Sequence, residues 1–473
     1  MKLSISNSSI RIVCFALALA LSAGAALAQE PSPERHSSEA VRYHLIDLGA
    51  LSGGFSQASD ISNFGVIVGN ASVTNDTAPS VLHATLWFRG SILDLAANQQ
   101  PGLNSAAYDI NDFGLVSGES EISTDDPNAE NFCSFFTSAE CRAFRWQNGV
   151  LTPLPTLGGN NAASNGGIND RGEIAGFSET SNNIDPDCPN TVLPNGSGPQ
   201  ISDYEAAIWG PGPNKVRPLR PLPGDTVSIA LWLNERGEAV GISGNCGNTS
   251  IPGFAAGPHA VLWDKEGKPH TLPTFGGTSN LSLLGVGNGG YVINNRGQVA
   301  GVSAFPGHQD PNGEPGPSTI YHAFFWDRES GLQDLKTLRG DIYSAGLGLN
   351  DEGTVVGGSL DAQNNPTAYV WKYGKMRDLN CLVPADTPFK FLLVAFAIND
   401  AGQIAGFGVT VDGPHAFLAT PTHWDGPTLC SSTTTTTDAS EDAQMPKLVL
   451  SPEVRKQLNQ QMRLRGVPLA AAQ

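Results

Sequence analysis

The segment Asp310-Pro311-Asn312-Gly313-Glu314 places side-chain oxygens at alternate positions, the spacing at which calcium-binding loops gather their ligands. The rest of an EF-hand loop is missing, so two readings stay open: a Ca2+ site built on Asp310, Asn312 and Glu314, or the solvated residues of a turn. Further oxygen donors stand in other long segments, at Asp125, Asp126, Asn128, Glu130, Asp185 and Asp187. Of these, Asp185 and Asp187 join Asp310, Asn312 and Glu314 as the candidate ligand-binding residues. Paired carboxylates can also act as acid and base on a glycan, which makes a Ca2+-assisted hydrolase or lyase the enzymatic alternative. The sequence carries no G-x-S-x-G, no H-E-x-x-H and no Walker loop. No nucleophile elbow, zinc helix or phosphate cradle is therefore signalled, and no catalytic residue is assigned.

Four of the nine His residues (His83, His259, His322 and His415) open copies of one short motif. Equivalent places in successive repeats are separated in space, whereas zinc needs three or four ligands converging on one ion. These His residues read as strand-entry positions. Cys14 falls in an N-terminal apolar run, which leaves six cysteines: Cys133, Cys141, Cys188, Cys246, Cys381 and Cys430. An even number in an exported chain argues for disulfides, and six cysteines allow fifteen pairings.

Export is read from the first 28 residues. Lys2 and Arg11 precede the apolar stretch Ile12 to Leu21, and Ala26-Leu27-Ala28 is an A-x-A cleavage pattern. The apolar stretch is too short to span a bilayer of roughly 30 Å, so residues 1–28 read as a signal peptide and 29–42 as a linker. No later segment reaches a spanning length. The full chain carries 27 basic and 45 acidic residues, a net charge of −18. Without Lys2 and Arg11 the balance is 25 against 45, or −20. Such a surface repels phosphate backbones and argues against a nucleic-acid partner. Gly (54) and Pro (33) together make up about 18% of the chain, too rich in turn formers for a helical bundle.

The body of the chain repeats. One element runs His or a substitute, Ala, two mostly apolar residues, then Trp. Its copies begin at His83, Arg142, Glu205, His259, His322 and Thr367, and a last copy, His415-Ala416-Phe417-Leu418-Ala419, has lost the Trp. A second element is an apolar residue, usually Asn, two variable residues and Gly, as in Ile61 to Gly65, Ile110 to Gly114 and Ile398 to Gly402, again in seven copies. Each is followed by a short apolar strand ending in Gly, such as Glu173-Ile174-Ala175-Gly176. Both elements make hairpins, the first turning at places such as Asn148-Gly149. Loops such as Leu157-Gly158-Gly159 and Phe275-Gly276-Gly277 join them. The 379 residues from Tyr43 to Pro421 give about 54 per unit, room for four short strands and inserts of uneven length.

The first unit begins at Tyr43 to Leu48, which matches the second strand of the His-Ala hairpin. The orphan His415 to Ala419 copy supplies the missing first strand. Pairing the two closes the circle and protects every edge. The predicted fold is therefore all-β: a seven-bladed β-propeller of four-stranded antiparallel blades over 43–421, sealed by its N- and C-terminal strands. The Trp series reads as core between adjacent sheets.

These motifs resemble the bacterial extracellular repeat proteins named for a His-Ala-Phe sequence, the HAF-repeat family. The resemblance covers 43–421, and the full motif stands at His322-Ala323-Phe324 and His415-Ala416-Phe417. Arg142, Glu205 and Thr367 depart from it. The resemblance implies export and a repeat fold and adds no reaction.

The ring narrows the disulfide pairings to Cys133–Cys141 within one insert, Cys188–Cys246 between successive inserts, and Cys381–Cys430 at the seam. It also sorts the connections: Asn-x-x-Gly and Asn-Gly turns share one end, while Leu-Gly-Gly loops and the inserts at about 121–140, 180–204, 245–258 and 305–321 share the other. Beyond the ring, 422–450 reads as a Ser/Thr-rich linker with five consecutive Thr residues. The segment 451–466 reads as a short basic helix capped at Ser451, and 467–473 as a tail. That helix could dock on a partner or on the acidic body, or lie solvated. The expected function is an exported, non-catalytic protein that binds a protein or polysaccharide through the insert-bearing end. A purely structural surface protein is a further alternative.

Overall fold

The computed structural model describes residues 41–431 apart from 75–80, 98–102, 134, 136, 185–201, 213, 247–256, 278–286 and 307–319, together with 444–448, 450, 454 and 455. The described residues contain 28 strands in seven four-stranded antiparallel sheets, which are the blades of a propeller. The inner strands of blades 1 to 7 are Ser56–Ile61, Ser105–Ile110, Ala162–Ala163, Val227–Leu233, Gly289–Ile293, Tyr343–Leu349 and Phe389–Ile398. Blades 1 to 6 run outward in chain order from there. The strand leading into the Asn-x-x-Gly turn is thus the innermost, and most inner strands are buried along their whole length. Outer strands such as Ser91–Asp94 face water.

The seam of the ring lies in blade 7. Its outer strand is Arg42–Asp47 from the start of the body, paired antiparallel with Pro414–Thr422, so that Leu45 faces Ala419 and Ile46 faces Leu418. The predicted seven blades and their closure by the terminal strands are both present.

A bulge explains the second recurring glycine. Six inner strands carry an extra residue opposite the second strand, for instance between Ala58 and Asp60 and between Ala230 and Trp232. Such a bulge sharpens the local twist and brings the inner-strand carbonyl close to the facing residue. A Cβ on Gly69 would overlap Gln57 O, and one on Gly241 would overlap Ile229 O. Glycine is required there by lack of space.

Adjacent blades are glued by apolar clusters centred on the Trp copies. Trp209 of blade 3 packs with Leu115 and Ala143 of blade 2, and its indole N–H donates to Pro155 O at 2.7 Å. Hydroxyls at the start of inner strands staple blades 2, 4 and 6 to the ones before: Ala84 N donates to Ser105 Oγ, Ala206 N to Ser228 Oγ and Ala323 N to Ser344 Oγ. At the seam Ala416 N donates to Ser56 Oγ.

Disulfides join Cys133 to Cys141 and Cys381 to Cys430. Cys246 is also disulfide-bonded, and Cys188, its expected partner, lies outside the described residues. The second bridge ties the chain after the closing strand to the short 3-10 turn Leu379–Leu382, which leads into blade 7.

The stretch 422–450, read from composition as a linker, is partly docked. Pro384 and Thr428 form a β-bridge. Further on, Met445 N donates to Asp378 Oδ2, and Lys447 Nζ reaches Asp341 Oδ2 at 2.8 Å and Thr367 Oγ1 at 2.7 Å. Leu450 is buried in the main core, with Met445 and Leu448 packed against it. Apolar residues near a lysine that matches a buried acid outweigh the polar composition around them. Of the expected helix 451–466, Val454 and Arg455 are described and are helical. Arg455 donates to Gln363 O and to Asn365 Oδ1. The remainder of that segment, the 467–473 tail and residues 1–40 lie outside the described residues.

Candidate functional site

Chain direction alternates through each blade, so the connections fall on two ends. Turns from first to second and from third to fourth strands share one; inserts and blade-to-blade loops share the other. The candidate residues Asp185, Asp187, Asp310, Asn312 and Glu314, and with them the Ca2+ candidate, lie outside the described residues. Asp125, Asp126 and Glu130 are described, and only Asp125 is exposed.

Asp126 and Glu130 turn inward and join a buried acidic network between blades 2 and 3. Asp126 Oδ1 accepts from Asn128 N and Glu130 N, and its Oδ2 accepts from Asn161 Nδ2 at 2.8 Å. Glu130 accepts from Ser202 N at 2.9 Å, which pins the blade 2 insert to blade 3. Glu179 Oε2 accepts from Asn160 N and Asn161 N. Glu121 takes Asn104 N, Asn104 Nδ2 and Thr137 Oγ1. Glu119 takes the Tyr108 hydroxyl at 2.8 Å. Phe132 stacks over Phe177 beside them, centroids 4.9 Å apart.

Burial is what sets the protonation of this network. It raises Glu119 to about 8, against the opposing hydrogen bond from Tyr108. Burial raises Glu179 to about 8 as well, helped by the charge of Glu130 and a hydrogen bond to it. Glu179 thus holds its proton at neutral pH, as a buried carboxyl beside another acidic side chain should. Glu130 and Glu179 are both fully buried, so the pair organises loops and meets no substrate. Glu119 also lies beside the Cys133 and Cys141 sulfurs, and Asp378 beside those of Cys381 and Cys430. Those sulfurs are in disulfides and offer no thiolate to a metal.

The motif histidines pair with carboxylates. His83 Nδ1 lies 2.9 Å from Asp94, His322 Nδ1 3.0 Å from Asp334, and His259 Nδ1 2.9 Å from Asp225. Where Thr367 replaces the His in blade 6, Asp378 accepts instead from Asn380 N and Met445 N.

The turn-bearing end carries a closed belt. Each residue after the turn Asn (or Ser62) accepts the backbone N–H of its counterpart in the preceding blade. Asn63 N donates to Asp112, Asp112 N to Asp170, Asp170 N to Glu235, and Glu235 N to Asn295. Asn295 N then donates to Asp351, Asp351 N to Asp400, and Asp400 N back to Asn63. An inner row of Asn side chains runs beside it, from Asn111 to Asn169 O and onward to Asn399, which reaches Ser62 O. The signal for the belt was present in the sequence as an Asn, Asp or Glu in all seven copies at that position. Nothing local in the sequence says what it would bond.

The described residues line cavities that include the following two. One of about 30 Å3, room for a single water, lies at the ring axis against Leu231, Tyr291, Leu347 and Phe396. The other, of about 190 Å3, lies on the turn-bearing end between blades 2 and 3. No helix among the described residues is long and apolar enough to cross a membrane.

No family model matches the chain, and no curated protein matches it. Solved structures with a similar architecture include a gluconolactonase from Xanthomonas campestris, at 10% identity and TM-score 0.32, covering 82% of this chain and 93% of that one. A polysaccharide lyase, ulvan lyase, aligns at 10% identity and TM-score 0.34 over 82% of this chain and 96% of its own. The propeller domain of the trilobed protease from Pyrococcus furiosus aligns at 12% identity and TM-score 0.29 over 69% and 95%. Likeness at this level carries no argument about activity.

Proposed function

We propose that this protein is an exported propeller of the HAF-repeat kind that binds a protein or polysaccharide through its insert-bearing end without transforming it. The observation that carries this reading is the way the described insert carboxylates are used. Glu121, Asp126, Glu130 and Glu179 accept from backbone and amide N–H groups of Asn104, Asn128, Asn160, Asn161 and Ser202, so they hold loops in place. Loops held on a rigid scaffold are the usual seat of recognition, and pre-ordering them lowers the entropic cost of binding. In this reading Asp185, Asp187, Asp310, Asn312 and Glu314 contact the bound partner.

The test is deletion of 185–201 and of 307–319, each closed by a short Gly-Ser bridge, followed by capture from native envelope and medium and by glycan-array binding. Loss of binding with an unchanged thermal transition is the expected result; binding that survives both deletions refutes it. The rival reading, a glycan hydrolase or lyase using insert acids with Ca2+, is decided by a product screen with and without chelator. Self-assembly of the pure protein would favour a structural surface role.

A further inference from the structure

The cleft of about 190 Å3 between blades 2 and 3 is lined by Phe113, Leu115, Arg145, Gln147, Asp170 and Arg171 among others. It opens on the end opposite the inserts, and its blade 2 wall differs from blades 3 and 4 at three positions. In blades 3 and 4 the turn carries Arg and Glu, two residues apart, joined as the ion pairs Arg171–Glu173 and Arg236–Glu238. Blade 2 has Phe113 and Leu115 instead, as blade 1 has Phe64 and Val66. The residue before the motif Trp is Leu86, Ile208, Leu262, Phe325 and Val370 in other blades, and Leu418 in the copy that lost its Trp. In blade 2 it is Arg145, half-buried, facing the cleft and with no hydrogen bond or ion pair among the described residues.

We propose that this cleft binds one uronic acid residue of an acidic polysaccharide, with the Arg145 guanidinium on the sugar carboxylate and the Phe113 ring against the sugar's C–H face. A half-buried guanidinium without a protein partner matches a planar carboxylate through two parallel hydrogen bonds. The neighbouring Arg171 is already engaged by Glu173, so Arg145 supplies the uncompensated charge. Phe113, like Phe64 of blade 1, is 72% exposed, and at the cleft its ring offers a flat apolar face. Asp170 Oδ1 accepts from Asp112 N, which leaves Oδ2, with the Gln147 amide, for sugar hydroxyls. The volume holds about six waters at liquid density, the size of one sugar ring and well below that of a drug-sized pocket.

The experiment is calorimetric titration of the full chain with a galacturonic acid trimer, a mannuronic acid trimer and a neutral galactose trimer, repeated with Arg145→Leu and Phe113→Arg. Leucine stands at the first position in blades 1, 4 and 7 and arginine at the second in blades 3 to 5, so both variants keep residues this fold already uses; urea midpoints verify that. We expect a uronic trimer to bind at least tenfold more tightly than the neutral one, with that preference lost in Arg145→Leu and affinity down about tenfold in Phe113→Arg. Equal affinity for charged and neutral trimers, no binding of either uronic trimer, or an unchanged Arg145→Leu would overturn the proposal. So would tighter, Arg145-dependent capture of a tripeptide C-terminus. None of these outcomes touches the insert-bearing end.

Discussion

His415 Nδ1 lies 3.0 Å from Asp47 Oδ2, across the seam that joins residues 368 positions apart in the sequence. The His-Ala motif and the Asp-Leu pair of the next strand are therefore one device. It appears within a single hairpin as His83–Asp94 and His322–Asp334, and at the seam it clasps the two ends of the body together.

His415→Ala should cost about 1–2 kcal/mol, the usual loss for a charge-assisted hydrogen bond. It should also speed proteolysis of the Arg42–Asp47 strand, which His83→Ala, equal in chemistry but internal to a blade, should not. Urea unfolding and timed proteolysis check both. The hydrogen bond that His415 donates to Asp47 raises His415 above the ordinary His value, against burial. Burial alone would raise Asp47, but hydrogen bonds from His415 and Gly49 N hold it low. The His contribution is complete below the ordinary His value and is lost as pH climbs through its raised one. The Asp contribution is lost as pH falls through its depressed value, so the clasp is strongest in mildly acidic solution.

The buried acids have a larger pH signature. Glu119 and Glu179, both near 8, hold a proton in the fold that the unfolded chain releases above about 4.5. Their stabilisation is complete below that and is lost as pH rises to about 8, at about 1.4 kcal/mol per pH unit for each group within the window. Denaturant midpoints should accordingly fall between pH 5 and 8. Glu119→Gln and Glu179→Gln should each flatten that slope, and an unchanged slope would contradict the assignment.

Gly241→Ala should destabilise by about 3 kcal/mol or more, since the added methyl meets the Ile229 carbonyl and the bulged strand has no slack to yield. Gly224→Ala offers the contrast: its Cβ meets nothing within 4 Å but its φ is +100°, so only backbone strain of about 1 kcal/mol is expected. Chemical denaturation of the two variants separates lack of space from strain.

The seven-fold repeat, the blade count and the closure at the seam were legible because Asn-x-x-Gly and His-Ala recur with fixed roles in each unit. The glycine after the second strand was visible as a pattern, and its cause was not: the carbonyl of Gln57 approaches Gly69 only once the inner strand bulges. In the sequence Asp126 and Glu130 are only two more oxygen-bearing residues of an insert, because composition records charge and not direction; the fold turns both inward. Docking at Met445 to Leu450 was hidden by the Ser/Thr run before it, whereas Lys447 opposite Asp341 is a match between residues 106 apart that no local window contains.

Lys447→Ala should cost about 2–4 kcal/mol, because it strands a carboxylate whose side chain is only 1% exposed. Burial already raises Asp341, with Lys447 holding it down. The double variant Lys447→Ala, Asp341→Asn should recover part of that loss in urea melts. If the single variant were as stable as the parent, the contact would be a passive one.

The zipper between Arg42–Asp47 and Pro414–Thr422 sets an order of events during synthesis. The earliest strand emerges with an open flank and nothing to pair with until the penultimate stretch of polypeptide has been made. For that whole interval it is a sticky ribbon, inviting its own kind. A truncated product would carry this adhesive edge permanently, so incomplete copies of the chain should be the ones that clump.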